Sequence, residues 1–158
     1  MFGLFKTAPF SDPLLGDLIR SRGFWRGTLQ LDAGTTMLAL AGTRTAPDPA
    51  AVAAAREVKS QLPAWRPTIE AALFEHYGPY AKAVAAGELP EASESFPGVT
   101  SPNGIWRHAT LEFVSISPLD GALTVELGFT TTWDEEHTLG ARFADGTFIE
   151  LCGSVLPP

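Results

Sequence analysis

A chain of 158 residues, 45% hydrophobic and 18% charged, can bury a sizeable core and needs no disulfide or metal to hold it together. Its formal charge of −7, from 18 acidic and 11 basic residues, argues against nucleic acid and anionic membrane, because binding phosphates takes clustered Lys and Arg. The single cysteine, Cys152, excludes an intramolecular disulfide and a cysteine metal cluster; in its apolar stretch it reads as a small buried hydrophobe.

Residues 1–22 read as a lead-in. Met1 to Lys6 is apolar but too short for a signal-peptide core, and no later run reaches the length of a membrane span. The expected compartment is therefore the cytoplasm. Ser11-Asp12-Pro13 is a turn or helix start with Asp12 as cap, followed by one helical turn at most, since Gly16 and Gly23 punctuate the chain.

Residues 24–41 read as a β-hairpin. Trp25, Leu29 and Leu31 alternate with Arg26, Thr28 and Gln30, Asp32-Ala33-Gly34 makes the turn, and Thr35 to Ala41 returns. Residues 48–87 read as helices. Asp48-Pro49 opens the first by a cap followed by proline, and its continuation is alanine-rich. Pro63 and Pro67 are expected to divide it into a helical pair. In the second helix, Ile69, Leu73, His76, Tyr80 and Val84 share one face, Gly78-Pro79 is expected to kink it, and Gly87 to end it.

Residues 88–103, rich in Glu, Ser and Pro, read as an exposed loop, and 105–155 as a β-meander. Ile105 to Ile116 is its first strand, and Pro118 to Gly121 a turn. Leu123 to Thr130 alternates most cleanly, Trp133 to His137 interrupts, and Asp145-Gly146 makes the last hairpin turn. The order predicts one α+β domain over 1–158. Its antiparallel sheet would have about six strands, as a hairpin, a helical pair and then a four-strand meander, with the helices packed on one face.

Three clusters are candidates for chemistry. Trp133-Asp134-Glu135-Glu136-His137 gathers carboxylates and an imidazole, so Asp134, Glu136 and His137 are candidates for a divalent metal or proton transfer. Adjacent residues on extended chain point to opposite faces, which favours instead a turn in which Asp134 binds backbone amides and Trp133 covers the core edge. His76, between Leu73 and Tyr80, reads as a core histidine; it lacks the second histidine of the helical zinc pattern. Trp106-Arg107-His108, on an expected central strand, offers Trp106 and His108 to a polar-aromatic patch of the kind that binds partners or ligands. The sequence has neither a P-loop nor a dinucleotide fingerprint nor a Gly-x-Ser-x-Gly elbow, and its spacing names no catalytic residue, metal or cofactor.

Two segments carry a resemblance. Ser11-Asp12-Pro13-Leu14-Leu15-Gly16 with Gly23-Phe24-Trp25-Arg26-Gly27 resembles the opening of an uncharacterised bacterial domain family. Trp133-Asp134-Glu135-Glu136-His137-Thr138-Leu139-Gly140 with Asp145-Gly146 resembles that family's close. Some members resemble toxin-immunity proteins, which implies a protein-binding role and transfers no catalytic residue. The expected function is thus a small cytosolic protein-binding domain, in its narrow form an immunity-type inhibitor, with a basic protein as partner for the acidic surface. The alternatives are an accessory domain acting in a homo-oligomer and a metal-assisted hydrolase using Asp134, Glu136 and His137, with His108 joining. Oligomeric state is not legible.

Overall fold

The computed structural model describes residues 6–89 and 95–158. In chain order these form β1 (Phe10–Asp12), β2 (Gly16–Ser21), β3 (Phe24–Leu31), β4 (Gly34–Leu40), α1 (Pro49–Ala85), a short 3-10 helix (Pro102–Arg107), β5 (Ala109–Leu119), β6 (Ala122–Thr131), β7 (Thr138–Ala144) and β8 (Thr147–Val155). The eight strands lie in one sheet in sequence order. Neighbours are antiparallel except β4 and β5, which pair in parallel from Met37↔Phe113 to Leu40↔Ile116. The middle of the expected 88–103 loop and most of the apolar start fall outside the described residues.

This corrects the expected fold in four places. The sheet is mixed and has eight strands, where an antiparallel sheet of about six, ending in a four-strand meander, was expected. The two added strands, β1 and β2, come from the lead-in, and of the turn or helix start expected at Ser11-Asp12-Pro13 the turn is found: Asp12 Oδ1 accepts the amides of Leu14 at 2.9 Å and Leu15 at 3.0 Å. The expected helical pair is one helix of 37 residues. Trp106 and Arg107 lie in the 3-10 helix, and His108 caps it, so none of the three is on a strand.

The parallel pair follows from that helix. At about 1.5 Å per residue, 37 helical residues carry the chain back past the far end of β4, so the next strand runs alongside β4 in the same direction. The helix starts where expected, with Asp48 Oδ1 accepting the Ala50 amide at 2.7 Å and Pro49 in the first turn. It continues through Pro63, Pro67 and Pro79. Each interior proline costs about 3 kcal/mol. A buried stripe of Val52, Ala55, Val58, Trp65, Ile69, Leu73 and Tyr77 offsets that cost, since packing of one apolar face supplies most helix stability in proteins.

That stripe packs on the inner face of the sheet, where Trp25, Leu38, Leu40, Ile116, Leu127 and Leu139 are buried. Trp65 stacks on Phe143 with ring centres 4.1 Å apart and donates its indole N–H to the Gly146 carbonyl at 3.2 Å, tying the helix to the β7–β8 hairpin. The hairpin turns Arg22-Gly23, Asp120-Gly121 and Asp145-Gly146 hold both residues at positive φ, as two-residue turns matched to strand twist require.

The outer face is partly closed by the sheet itself. A bulge between Leu111 and Phe113 turns Phe113 outward, where its ring lies against Gly128. Gly128 pairs with Gly140, and a Cβ at Gly140 would stand 2.7 Å from Val155 Cγ1. Cys152 is half-exposed rather than buried, with its thiol 3.5 Å from the Ser154 carbonyl.

Candidate functional site

The connection from β6 to β7 holds four of the sequence candidates, Trp133, Asp134, Glu136 and His137. Trp133 and Asp134 are buried, whereas Glu135, Glu136 and His137 are exposed. The end of α1 meets this turn with His76, Tyr77 and Tyr80. Trp133 donates its indole N–H to His76 Nδ1 at 3.1 Å and meets the Tyr77 ring edge-on at 5.7 Å. Because indole nitrogen only donates, Nδ1 is the acceptor and neutral His76 carries its proton on Nε2. Burial holds the His76 imidazole below the ordinary histidine range, against the pull of the Asp134 charge and with help from His137.

Asp134 is the hub. Its Oδ2 accepts the Tyr80 hydroxyl at 2.8 Å, and its Oδ1 lies 2.9 Å from His137 Nδ1. Burial alone would raise the carboxyl, but the hydrogen bonds from Tyr80 and His137 outweigh it and hold Asp134 below the usual carboxylate range. Tyr80 is pushed up to about 12, first by burial and then by the Asp134 carboxylate. The phenol therefore keeps its proton and acts as a donor. Tyr77 performs a similar tie, donating to the Pro97 carbonyl at 2.6 Å and accepting the Val99 amide at 3.0 Å.

The other candidates go elsewhere. His108 places Nδ1 3.2 Å from Thr132 Oγ1 and stays out of the Asp134 network. Trp106 donates its indole N–H to Glu70 Oε2 at 2.6 Å and lies under the Arg66 guanidinium, 4.5 Å from the ring centre. Glu136 faces solvent, so two of the three residues named for a metal converge. Among the described residues, no group of three or more His, Cys, Asp and Glu side chains is arranged to hold a metal ion. A buried carboxylate orienting a half-exposed imidazole is one part of general-base machinery. Here it also closes a turn and binds a helix end.

Two hollows stand out among the described residues. A cleft of about 460 Å³ lies between α1 and the sheet, lined by Leu62, Ile69, Trp106, Ala109, Leu111 and Phe129 among others. A hollow of about 330 Å³ opens on the outer face, bounded by Phe24, Ser115, Leu119, Thr124, Glu126, Arg142 and the stretch Leu156 to Pro158. Arg26 donates to the Pro158 carbonyl at 2.7 Å beside it. Arg142 bridges Glu126 at 2.7 Å and Glu150 at 2.8 Å. Sequence reading missed Lys59, Arg66 and Glu70. Their signal was helical spacing, with Lys59, Arg66 and Ile69 along the face that also carries Leu62.

No helix among the described residues is long and apolar enough to cross a membrane. No curated protein and no solved structure matches the chain. The model of a family described as a domain of unknown function, DUF6985, matches residues 28–155, a stretch that contains the closing Trp133–Gly146 segment and leaves out the opening one. With the match running over most of its length, the chain belongs to the DUF6985 family.

Proposed function

We propose that this protein is a binding domain for another protein, and that it engages its partner with the outer face of the sheet. One observation carries the reading: apolar side chains stand exposed on the face that α1 does not cover. Ile19 is 56% and Leu156 88% exposed; Leu119 and Phe24 join Leu156 around the outer hollow. Arg26, Arg142 and Glu126 lie among them. Apolar and aromatic groups beside arginine match the composition of protein interfaces.

The chain's charge of −7 favours a basic partner, drawn in by long-range steering that salt weakens. In its narrowest form the role is that of a cytoplasmic immunity-type inhibitor, as the resemblance of the two end segments implies.

The test is a photo-crosslinking residue placed at Leu119, compared with one at the solvent-facing Lys82 of α1, in cells of the native host. A heterologous partner captured only from position 119, and released by Leu156→Asp and by raised salt, supports the reading. Capture of a second copy of this chain from position 119 would favour the homo-oligomeric alternative. Equal capture from both positions, or none, would overturn outer-face binding.

A further inference from the structure

We infer that the cleft between α1 and the sheet is a binding site for an amphipathic organic anion, such as a medium-chain carboxylate. Its volume of about 460 Å³ falls within the roughly 300–1,000 Å³ of small-molecule sites. The floor is apolar: Leu62 and Ile69 from the helix, Leu111 and Phe129 from the sheet. The lining carries two cations, Lys59 and Arg66, against one carboxylate, Asp32, in a chain whose net charge is −7.

Each charge around the cleft has a described arrangement. Lys59 and Asp32 approach to 3.5 Å on the surface, with side chains 59% and 92% exposed, a pairing that adds little and yields readily. Glu70 is engaged by the Trp106 indole N–H. Arg66 lies over the face of Trp106, its Cζ 4.5 Å from the ring centre, and no described carboxylate lies within ion-pair distance of it. A guanidinium in this position keeps its forked N–H donors for a carboxylate, which it can bind in bidentate fashion. Lys59 and Arg66 stand two helical turns apart, about 10 Å, so they frame the mouth while the alkyl chain lies below.

Trp106 has a defined part in this. Its indole is held by Glu70 on one edge and lies 6.1 Å from the Phe129 ring, so it forms a fixed wall. The Lys59 and Arg66 stems supply further apolar cover, as long cationic side chains do.

The experiment titrates the full chain with decanoate, decanol and decyltrimethylammonium below their micelle concentrations, following thermal shift and tryptophan fluorescence. Decanoate is expected to raise the melting temperature most, and decyltrimethylammonium least. Arg66→Glu is expected to weaken decanoate about tenfold and to reverse the order of the two ions. Ala109→Phe, filling the floor, is expected to remove binding of all three. If Ala109→Phe does not fold, the exposed Arg66→Glu decides alone. Indifference to head-group charge in the parent chain, or a folded Arg66→Glu variant that binds decanoate as tightly as the parent, would overturn the assignment.

Discussion

Two buried aspartates, at turns on different parts of the sheet, hold the same helix by different chemistry. Asp12, between β1 and β2, accepts two backbone amides and pairs with Arg56 near the start of α1, Arg56 Nε lying 3.0 Å from Oδ2. Asp134, between β6 and β7, accepts the hydroxyl of Tyr80 near the end of α1 and pairs with His137. Arg56 and Tyr80 are 24 positions apart, about 36 Å of helix, and the cleft-lining residues Lys59 to Ile69 lie between them. The first clamp uses a partner that is always charged. The second uses a neutral phenol, with two imidazoles close by. The difference teaches that the two ends of one helix can be held with similar geometry and unlike sensitivity to acid.

The largest effect is expected from Asp12→Ala. It strands two turn amides and a cation, and should cost about 2–3 kcal/mol, measured by urea unfolding. Asp134→Ala removes the acceptor for Tyr80 and the partner of His137. Both of these reach solvent in part, so a loss of about 1–2 kcal/mol is expected. If the two variants lost the same stability, the comparison would break, because the backbone amides at Asp12 would then count for nothing.

Acid should separate the clamps further. A depressed carboxyl contributes stability that is present above its unfolded value and lost as pH falls through its folded value. Asp12, lowered from 3.8 to about 2, mainly by the hydrogen bond from Arg56, therefore contributes down to about pH 4 and loses that contribution toward pH 2. His76, lowered from 6.5 by burial, binds fewer protons folded than unfolded, so stability declines as pH falls from 6.5. His76→Gln should flatten the stability curve between pH 6.5 and 5, and Asp12→Asn should leave that stretch of the curve unchanged. Tyr80→Phe sharpens the comparison most gently. It deletes one hydrogen bond to Asp134, with an expected loss of about 0.5–1.5 kcal/mol.

Local chemistry in this chain was legible where one residue type does one job. Asp145-Gly146 announces its turn, and Asp48-Pro49 the start of α1. Three features were hidden for physical reasons. The parallel β4–β5 pair joins residues more than 70 positions apart, such as Leu38 and Val114, and leaves no local pattern. In β2 only Leu18 is buried, so the strand shows no alternation to read. Leu111 and Phe113, two apart, would share a face in a regular strand, but the bulge between them sends Phe113 to the other side. The prolines of α1 misled because their cost is local, whereas the packing that offsets it comes from the sheet. At the Trp133 corner, the segment itself stood out. Of its partners, His76 stood out by itself as a core histidine and Tyr80 only as a member of a helical stripe; neither could be tied to Asp134, because what joins them is the placement of α1 across the sheet.

Hydrogen exchange on the intact protein between pH 7.5 and 5, corrected for intrinsic rates, tests the two-clamp account most directly. Protection at the Arg56 end of α1 is predicted to hold across the range, while the Tyr80 end and residues 132–137 lose protection below pH 6.5. Loss of protection at both ends together, or at the Arg56 end first, would contradict it.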